Sequence, residues 1–342
     1  MQHEILSSAP LLDKQGNIAE PGYAKSLLPI YNRKDIKAPS FRIKEWDYYF
    51  VGNDHFGLAL TVADNSYMGL DSVTFFNFDD VYEITASFMS FLPFGKKKLP
   101  SSSLKGNIRV VKKNYILEFT HKDQQRILDF KVEHFSQGQP LVGRLILSNI
   151  PKESTVIATP FNKPKHFYFN QKINCMRAEG SVTIAGKAYQ FKPDTSFAVL
   201  DWGRGVWTYK NTWYWGSASG VVDGMSFGFN IGYGFGNTKA ATENMLIYNG
   251  KVHKLSEVTF HIPMKDGHED YLKPWRFSSH DGRFEMDFVP ILDRFSKTSL
   301  LILESDQHQV FGRFSGSAKL DDGKIIQIKD FMGFAEKVAN KW

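Results

Sequence analysis

Hydrophobic and polar residues alternate with period two over much of the chain. Leu128, Phe130 and Val132 interleave with Asp129, Lys131 and Glu133; Met225, Phe227, Phe229 and Ile231 with Ser226, Gly228 and Asn230; Phe284, Met286 and Phe288 with Arg283, Glu285 and Asp287. Each pattern predicts an antiparallel strand with one buried and one exposed face. Asp223-Gly224, Asn249-Gly250, Asp266-Gly267, Asp281-Gly282 and Asp322-Gly323 sit between apolar runs and predict tight hairpins. Residues 1–40 carry Pro10, Pro21, Pro29 and Pro39 and read as an extended, wrapping segment. Helical signals are few. Asp80 to Phe88 fits a short helix or a strand, and Phe334 to Val338, rich in helix formers, predicts a helix.

This pattern predicts an all-β protein of barrels or sandwiches. The length, 342 residues, fits two domains, expected at 1–165 and 166–342 with the boundary within 160–185. Fifty of the residues are aromatic (29 Phe, 14 Tyr, 7 Trp), which favours pleated strands and wide cavities.

Charge and cysteine content remove several classes. A net charge of +6 is mild for this length, and Lys96-Lys97-Lys98 reads as a solvated loop without a nucleic-acid motif. Cys175 is the only cysteine, so no intrachain disulfide or thiolate cluster forms. The start of the chain shows no basic-then-apolar leader and no run reaches 18 apolar residues, so a cytoplasmic protein without a membrane span is expected. The histidines lack metal-ligand spacing, Gly-x-Ser-x-Gly and P-loop motifs are absent, and Gly232-Tyr233-Gly234-Phe235-Gly236 misses the third dinucleotide glycine. No metal and no cofactor is expected.

Chemistry concentrates between Leu200 and Ser217, where Trp202, Trp207, Trp213 and Trp215 accompany Asp201 and Arg204. Asp201 and Arg204 flank a glycine and are expected to pair around a bend, either as a structural ion pair in a Trp-rich inter-domain core or with Asp201 as a general acid. Glu243 is the second candidate carboxylate, able to divide acid and base roles with Asp201 or to pair with it as in a glycosidase. Asn170, Lys172 and Asn174 recur at alternate positions and form an amide–ammonium row on one strand face.

Lys44-Glu45-Trp46-Asp47-Tyr48-Tyr49, Ala63-Asp64-Asn65-Ser66-Tyr67, Phe167–Gly180, Leu200–Gly205, Trp213-Tyr214-Trp215, Thr242-Glu243-Asn244 and Gly333–Trp342 together resemble the bacterial domain-of-unknown-function family 2804. More distantly the chain is similar to the calycin-like group of carotenoid 1,2-hydratases and attachment-protein homologues. That resemblance implies two tandem lipocalin-like antiparallel barrels, and places Asp201 at the turn where the hydratases carry an acidic residue thought to protonate a double bond. Three readings follow. The first is a carrier of an apolar or amphipathic small molecule in an aromatic-lined barrel cavity, with Trp202, Arg204, Trp207, Trp213, Trp215 and Lys172 around the ligand. The second is a hydratase-like lyase or isomerase using Asp201. The third is a carbohydrate-active enzyme using Asp201 and Glu243.

Overall fold

The computed structural model describes residues 2–300 and 303–342. It is all-β, with two single-turn 3-10 segments at Arg33–Asp35 and Ser40–Arg42. Two antiparallel sheets hold nearly all the strands, and each curls into a half-barrel.

Ten strands of the first sheet lie in one continuous order: Tyr82–Phe91, Met68–Asn77, Phe56–Asp64, Ile43–Gly52, Phe197–Val206, Phe167–Ile184, Gln139–Ser148, Gln125–Ser136, Tyr115–Lys122 and Ile108–Val111. Its ends approach one another where Phe88 stacks on Tyr115 at 3.9 Å. Nine strands form the second, from Lys251–Lys254 at one edge, through Lys210–Val222 and Ile325–Lys341 in the middle, to Val258–His261 at the other. The chain leaves the first sheet at Val206 and enters the second at Lys210, beyond the 160–185 window. Strand Phe167–Ile184 therefore belongs wholly to the first sheet.

Alternation sends one set of side chains into each half-barrel; the other set lies between the sheets on the central strands and faces solvent on outer strands such as Gln125–Ser136, where the Lys131 and Glu133 side chains are partly exposed. Tyr49, Val51, Leu200, Trp202 and Phe169 fill the first half-barrel; Phe229, Phe277, Phe288 and Phe314 fill the second. Between them lies a mixed layer in which Tyr48, Phe50, Phe76 and Val199 from one sheet meet Trp215, Phe311 and Phe334 from the other. Polar groups lock this layer as well. Asn174 keeps the face of Asn170 and Lys172 and reaches the second sheet, where its amide donates to Ser217 Oγ (2.7 Å) and Phe229 O (3.1 Å), while the bulge between Ile173 and Met176 puts Cys175 on that face as well.

All five Asx-Gly pairs lie at strand-to-strand turns; Asp223-Gly224, Asn249-Gly250 and Asp266-Gly267 have both residues at positive φ, as a type I′ turn requires. The Asp80–Phe88 ambiguity resolves to a strand, Tyr82–Phe91. The helix expected at Phe334–Val338 is absent. Those residues lie inside strand Ile325–Lys341, because pairing on both sides with Lys210–Val222 and Leu303–Lys319 overrides the helical preference of Ala, Glu and Lys.

Candidate functional site

The aromatic-walled cavity lies between the two sheets and not inside either half-barrel. Its volume is about 220 Å³, somewhat below the roughly 300 Å³ at which drug-sized ligand pockets begin. Strands Ile43–Gly52, Phe167–Ile184 and Phe197–Val206 bring Trp46, Tyr48, Tyr168, Lys172 and Asp201 to it; the second sheet brings Trp213, Trp215, Gln309 and Glu336; Trp207, Phe235, Glu243 and Trp342 come from connecting or terminal segments.

Strand parity decides which tryptophans take part. On Phe197–Val206, Asp201 faces the cavity, whereas Trp202 and Arg204 point the other way, into the first half-barrel. The pair expected between Asp201 and Arg204 does not form, because residues three apart on a strand project to opposite faces. Arg204 instead binds Asp47 Oδ1 (2.9 Å) and the carbonyls of Trp46, Gly203 and Pro100, with its guanidinium 4.3 Å above the Trp202 ring. Trp202 and Arg204 thus buttress the fold, while Trp207, Trp213 and Trp215 line the cavity.

The aromatic wall is continuous. Trp207 meets Trp46, Phe235 and Trp213 edge-on at 5.2, 4.7 and 5.8 Å, and Trp46 stacks on Tyr168 at 6.3 Å. Gly203 makes room for it. A Cβ there would lie 1.9 Å from the Trp46 indole, directly across the strand pair.

Within this wall sits a cluster of charge. Lys172 Nζ lies 2.9 Å from Asp201 Oδ1 and 4.2 Å from the Trp215 ring centre. Asn170 also donates to Asp201 Oδ1, at 2.5 Å. The amide–ammonium row thus divides its work: Asn170 and Lys172 hold Asp201, and Asn174 joins the sheets. Glu243 reaches the same cavity from the loop before Met245–Tyr248. It packs over Gly232, where a Cβ would lie 2.8 Å from Glu243 Oε1. Trp215 Nε1 donates to Asn230 Oδ1 (2.7 Å), whose amide donates to the Glu243 carbonyl (2.8 Å). Burial, reinforced by Asp201 and opposed by Lys172, holds the Glu243 carboxyl above its ordinary range.

Glu336 is the residue that sequence reasoning missed. Its Oε1 accepts from Trp213 Nε1 (3.0 Å) and its Oε2 from Gln309 Nε2 (3.1 Å). Burial pushes its carboxyl up to about 7, against the lowering effects of the Trp213 hydrogen bond and of Lys172; Asp201 adds to the rise. Among the described residues lining the cavity, three carboxyl groups (Asp201, Glu243, Glu336) meet two cations, Lys172 and Arg294. Of these three carboxyls only Asp201 is ion-paired, with Lys172; Lys254, just outside the lining, also acts on Glu243, and burial leaves Glu336 able to carry a proton near neutrality. The signal available in the sequence was alternation: Phe334, Glu336, Val338 and Asn340 share a strand face.

Cys175 is buried at φ +62° in the bulge, and burial drives its thiol up to about 11, which suits packing rather than nucleophilic attack. Among the described residues no group of three or more His, Cys, Asp or Glu is placed to hold a metal ion, and no helix is long and apolar enough to cross a membrane.

Two solved structures share the fold over nearly their full lengths. A protein assigned as AttH from Nitrosomonas europaea is 12% identical with a TM-score of 0.54, covering 96% of this chain and 98% of its own. CghA is 11% identical with a TM-score of 0.56, covering 98% and 97%. Kievitone hydratase from Nectria haematococca, at 10% identity, 98% coverage of both chains and a TM-score of 0.48, is a likeness too loose to carry functional meaning. No curated protein matches the chain. The family model for the domain of unknown function DUF2804 matches residues 2–342, and the chain belongs to that family.

Proposed function

We propose that the protein is an acid–base enzyme of the hydratase-like lyase or isomerase kind, acting on a small, largely apolar molecule held between the two sheets. The observation that carries this reading is Glu336, a buried carboxyl raised to about 7 on the wall of an aromatic cavity. A general acid works best with a pKa near the working pH. Glu336 takes the acid role that the sequence suggests for Asp201, and Asp201, accepting from Lys172 and Asn170, orients and balances charge.

In the hydration direction the Glu336 proton passes to one carbon of a substrate double bond, forming a C–H bond and leaving positive charge on the neighbouring carbon. The faces of Trp46, Trp207, Trp213 and Trp215 stabilise that charge as they stabilise any cation. Water adds to the cationic carbon and its surplus proton returns through the cavity carboxylates to Glu336. In an isomerisation the cationic carbon instead loses a neighbouring proton. Lys172 is placed to stabilise negative charge where the substrate carries an oxygen. A carrier needs only the apolar wall; burying this many ionisable groups costs several kcal/mol per ion, which a binding role alone does not require.

Isotope transfer tests the proposal even while the substrate is unidentified. The protein is incubated in D2O with a small-molecule extract of its host, and products are scanned by mass spectrometry for new carbon-bound deuterium. Wild type is expected to label one species or its isomer, and Glu336→Gln to lower the rate by roughly 10²–10⁴-fold. A ligand that co-purifies and returns unlabelled would identify a carrier.

A further inference from the structure

The chain's cationic excess is localised. Between Glu83 and Glu118 there are seven Lys or Arg and no Asp or Glu. That stretch carries +7 against +6 for the whole chain, so the remainder is net −1. The same stretch holds a run of exposed apolar side chains: Met89 is 64% exposed, Phe91 81%, Leu92 56% and Phe94 41%. Lys97 folds back onto the buried Asp71 at 2.5 Å, which leaves Lys96 and Lys98 exposed beside the apolar run.

This surface is continuous with the cavity. Met89 pairs across the edge strands with Leu70, and Phe91 with Met68, so these four side chains share one sheet face. Leu70 itself lines the cavity. A second link runs through the turn at Asn65: Leu92 N donates to Tyr67 O and Phe94 N to Ser66 O, both at 3.0 Å, and Asn65 is another lining residue.

We propose that the face formed by Met89, Phe91, Leu92 and Phe94, with Lys96 and Lys98, docks on the surface of an anionic phospholipid bilayer. Apolar rings beside free lysines, with no carboxylate along the run, match a surface that presents acyl chains beneath anionic headgroups. Exposed apolar residues in such a cluster mark an interaction site, and the charge selects the partner. A second copy of the chain would instead bring an identical cationic run into contact with this one. Docking places the apolar ramp toward the cavity against the membrane, and stands independently of the chemistry inside.

Vesicle co-sedimentation at low ionic strength tests the proposal. The full-length protein is expected to pellet with vesicles of phosphatidylcholine containing roughly one-third phosphatidylglycerol, and not with phosphatidylcholine alone, with binding that weakens as salt rises. The double variant Lys96→Gln/Lys98→Gln should bind roughly thirtyfold more weakly, and Phe91→Ser/Leu92→Ser at least as weakly, both with unchanged thermal melting. Wild type remaining in the supernatant with anionic vesicles would overturn the proposal, as would variants that bind like wild type. A dimer in analytical ultracentrifugation that Phe91→Ser dissolves, without vesicle binding, would assign the face to a second copy. Turnover plays no part in the readout, so its failure leaves the acid–base reading separate.

Discussion

Two ion clusters lie back to back across strand Phe197–Val206, and they are built to opposite rules. On the face toward the first half-barrel, Arg204 meets Asp47 and fills its remaining donors with three backbone carbonyls. On the face toward the cavity, Lys172 and Asp201 are joined by Glu243 and Glu336, and of the three carboxyls only Asp201 is ion-paired. A saturated, balanced pair stabilises one arrangement of the chain. A cluster with unpaired carboxyls stores a proton. The same strand supplies both by nothing more than side-chain parity.

Removing Asp47 should break the first cluster most severely. Asp47→Leu leaves the Arg204 guanidinium buried without an anion, and arginine cannot shed its proton. A loss of about 3–5 kcal/mol in chemical denaturation is expected; a loss below about 1 kcal/mol would show that the carbonyls alone hold Arg204.

The cavity cluster should respond in the opposite sense. Glu336 has a folded value of about 7 against an ordinary 4.5, so the folded state binds more protons than the unfolded state between those values. Stability therefore falls as pH rises through that window, and above it the buried carboxylate carries its full penalty. Glu336→Gln should match wild type near pH 4 and exceed it at pH 8 by up to about 3 kcal/mol, while losing activity. Equal pH dependence of the two melting curves would place the proton elsewhere.

Asp201→Asn exchanges a charge-assisted bond from Lys172 for a neutral one and should cost about 2 kcal/mol. It also removes a negative neighbour of Glu336, so the Glu336 titration, followed by carboxyl ¹³C chemical shift, should move below about 7. Trp213→Phe is the mildest change. Loss of the indole donor should raise the Glu336 value and cost about 1 kcal/mol; a downward movement would mean that the hydrogen bond favours the protonated form.

Period-two alternation makes the architecture readable in the sequence, and the Asx-Gly pairs locate the turns. The site is readable in part. Asp201, Lys172, Glu243, Trp207, Trp213 and Trp215 stand out along the chain and do line one cavity. Trp202 and Arg204 group with them only by closeness along the chain, since on a strand a neighbour one residue away faces the opposite side. Glu336 is hidden by its surroundings, since Phe-Ala-Glu-Lys-Val reads as a helix in isolation and becomes a strand through partners far away in sequence. That the cavity lies between the sheets is beyond local pattern altogether. It depends on Trp46, Tyr168 and Glu336 meeting from distant segments, a packing outcome that no window of residues encodes.

Because the cavity wall is shared, a bound molecule touches both half-barrels at once and becomes part of what joins them. Occupancy is then linked to the cohesion of the whole molecule. At a free concentration 100-fold above its dissociation constant, a ligand that binds only the folded state adds about 2.7 kcal/mol to stability. Thermal-shift screening would therefore report on the seam between the halves, and the compound that raises the melting temperature most would be the one that best bridges Tyr168 and Asp201 on one side to Trp213 and Glu336 on the other.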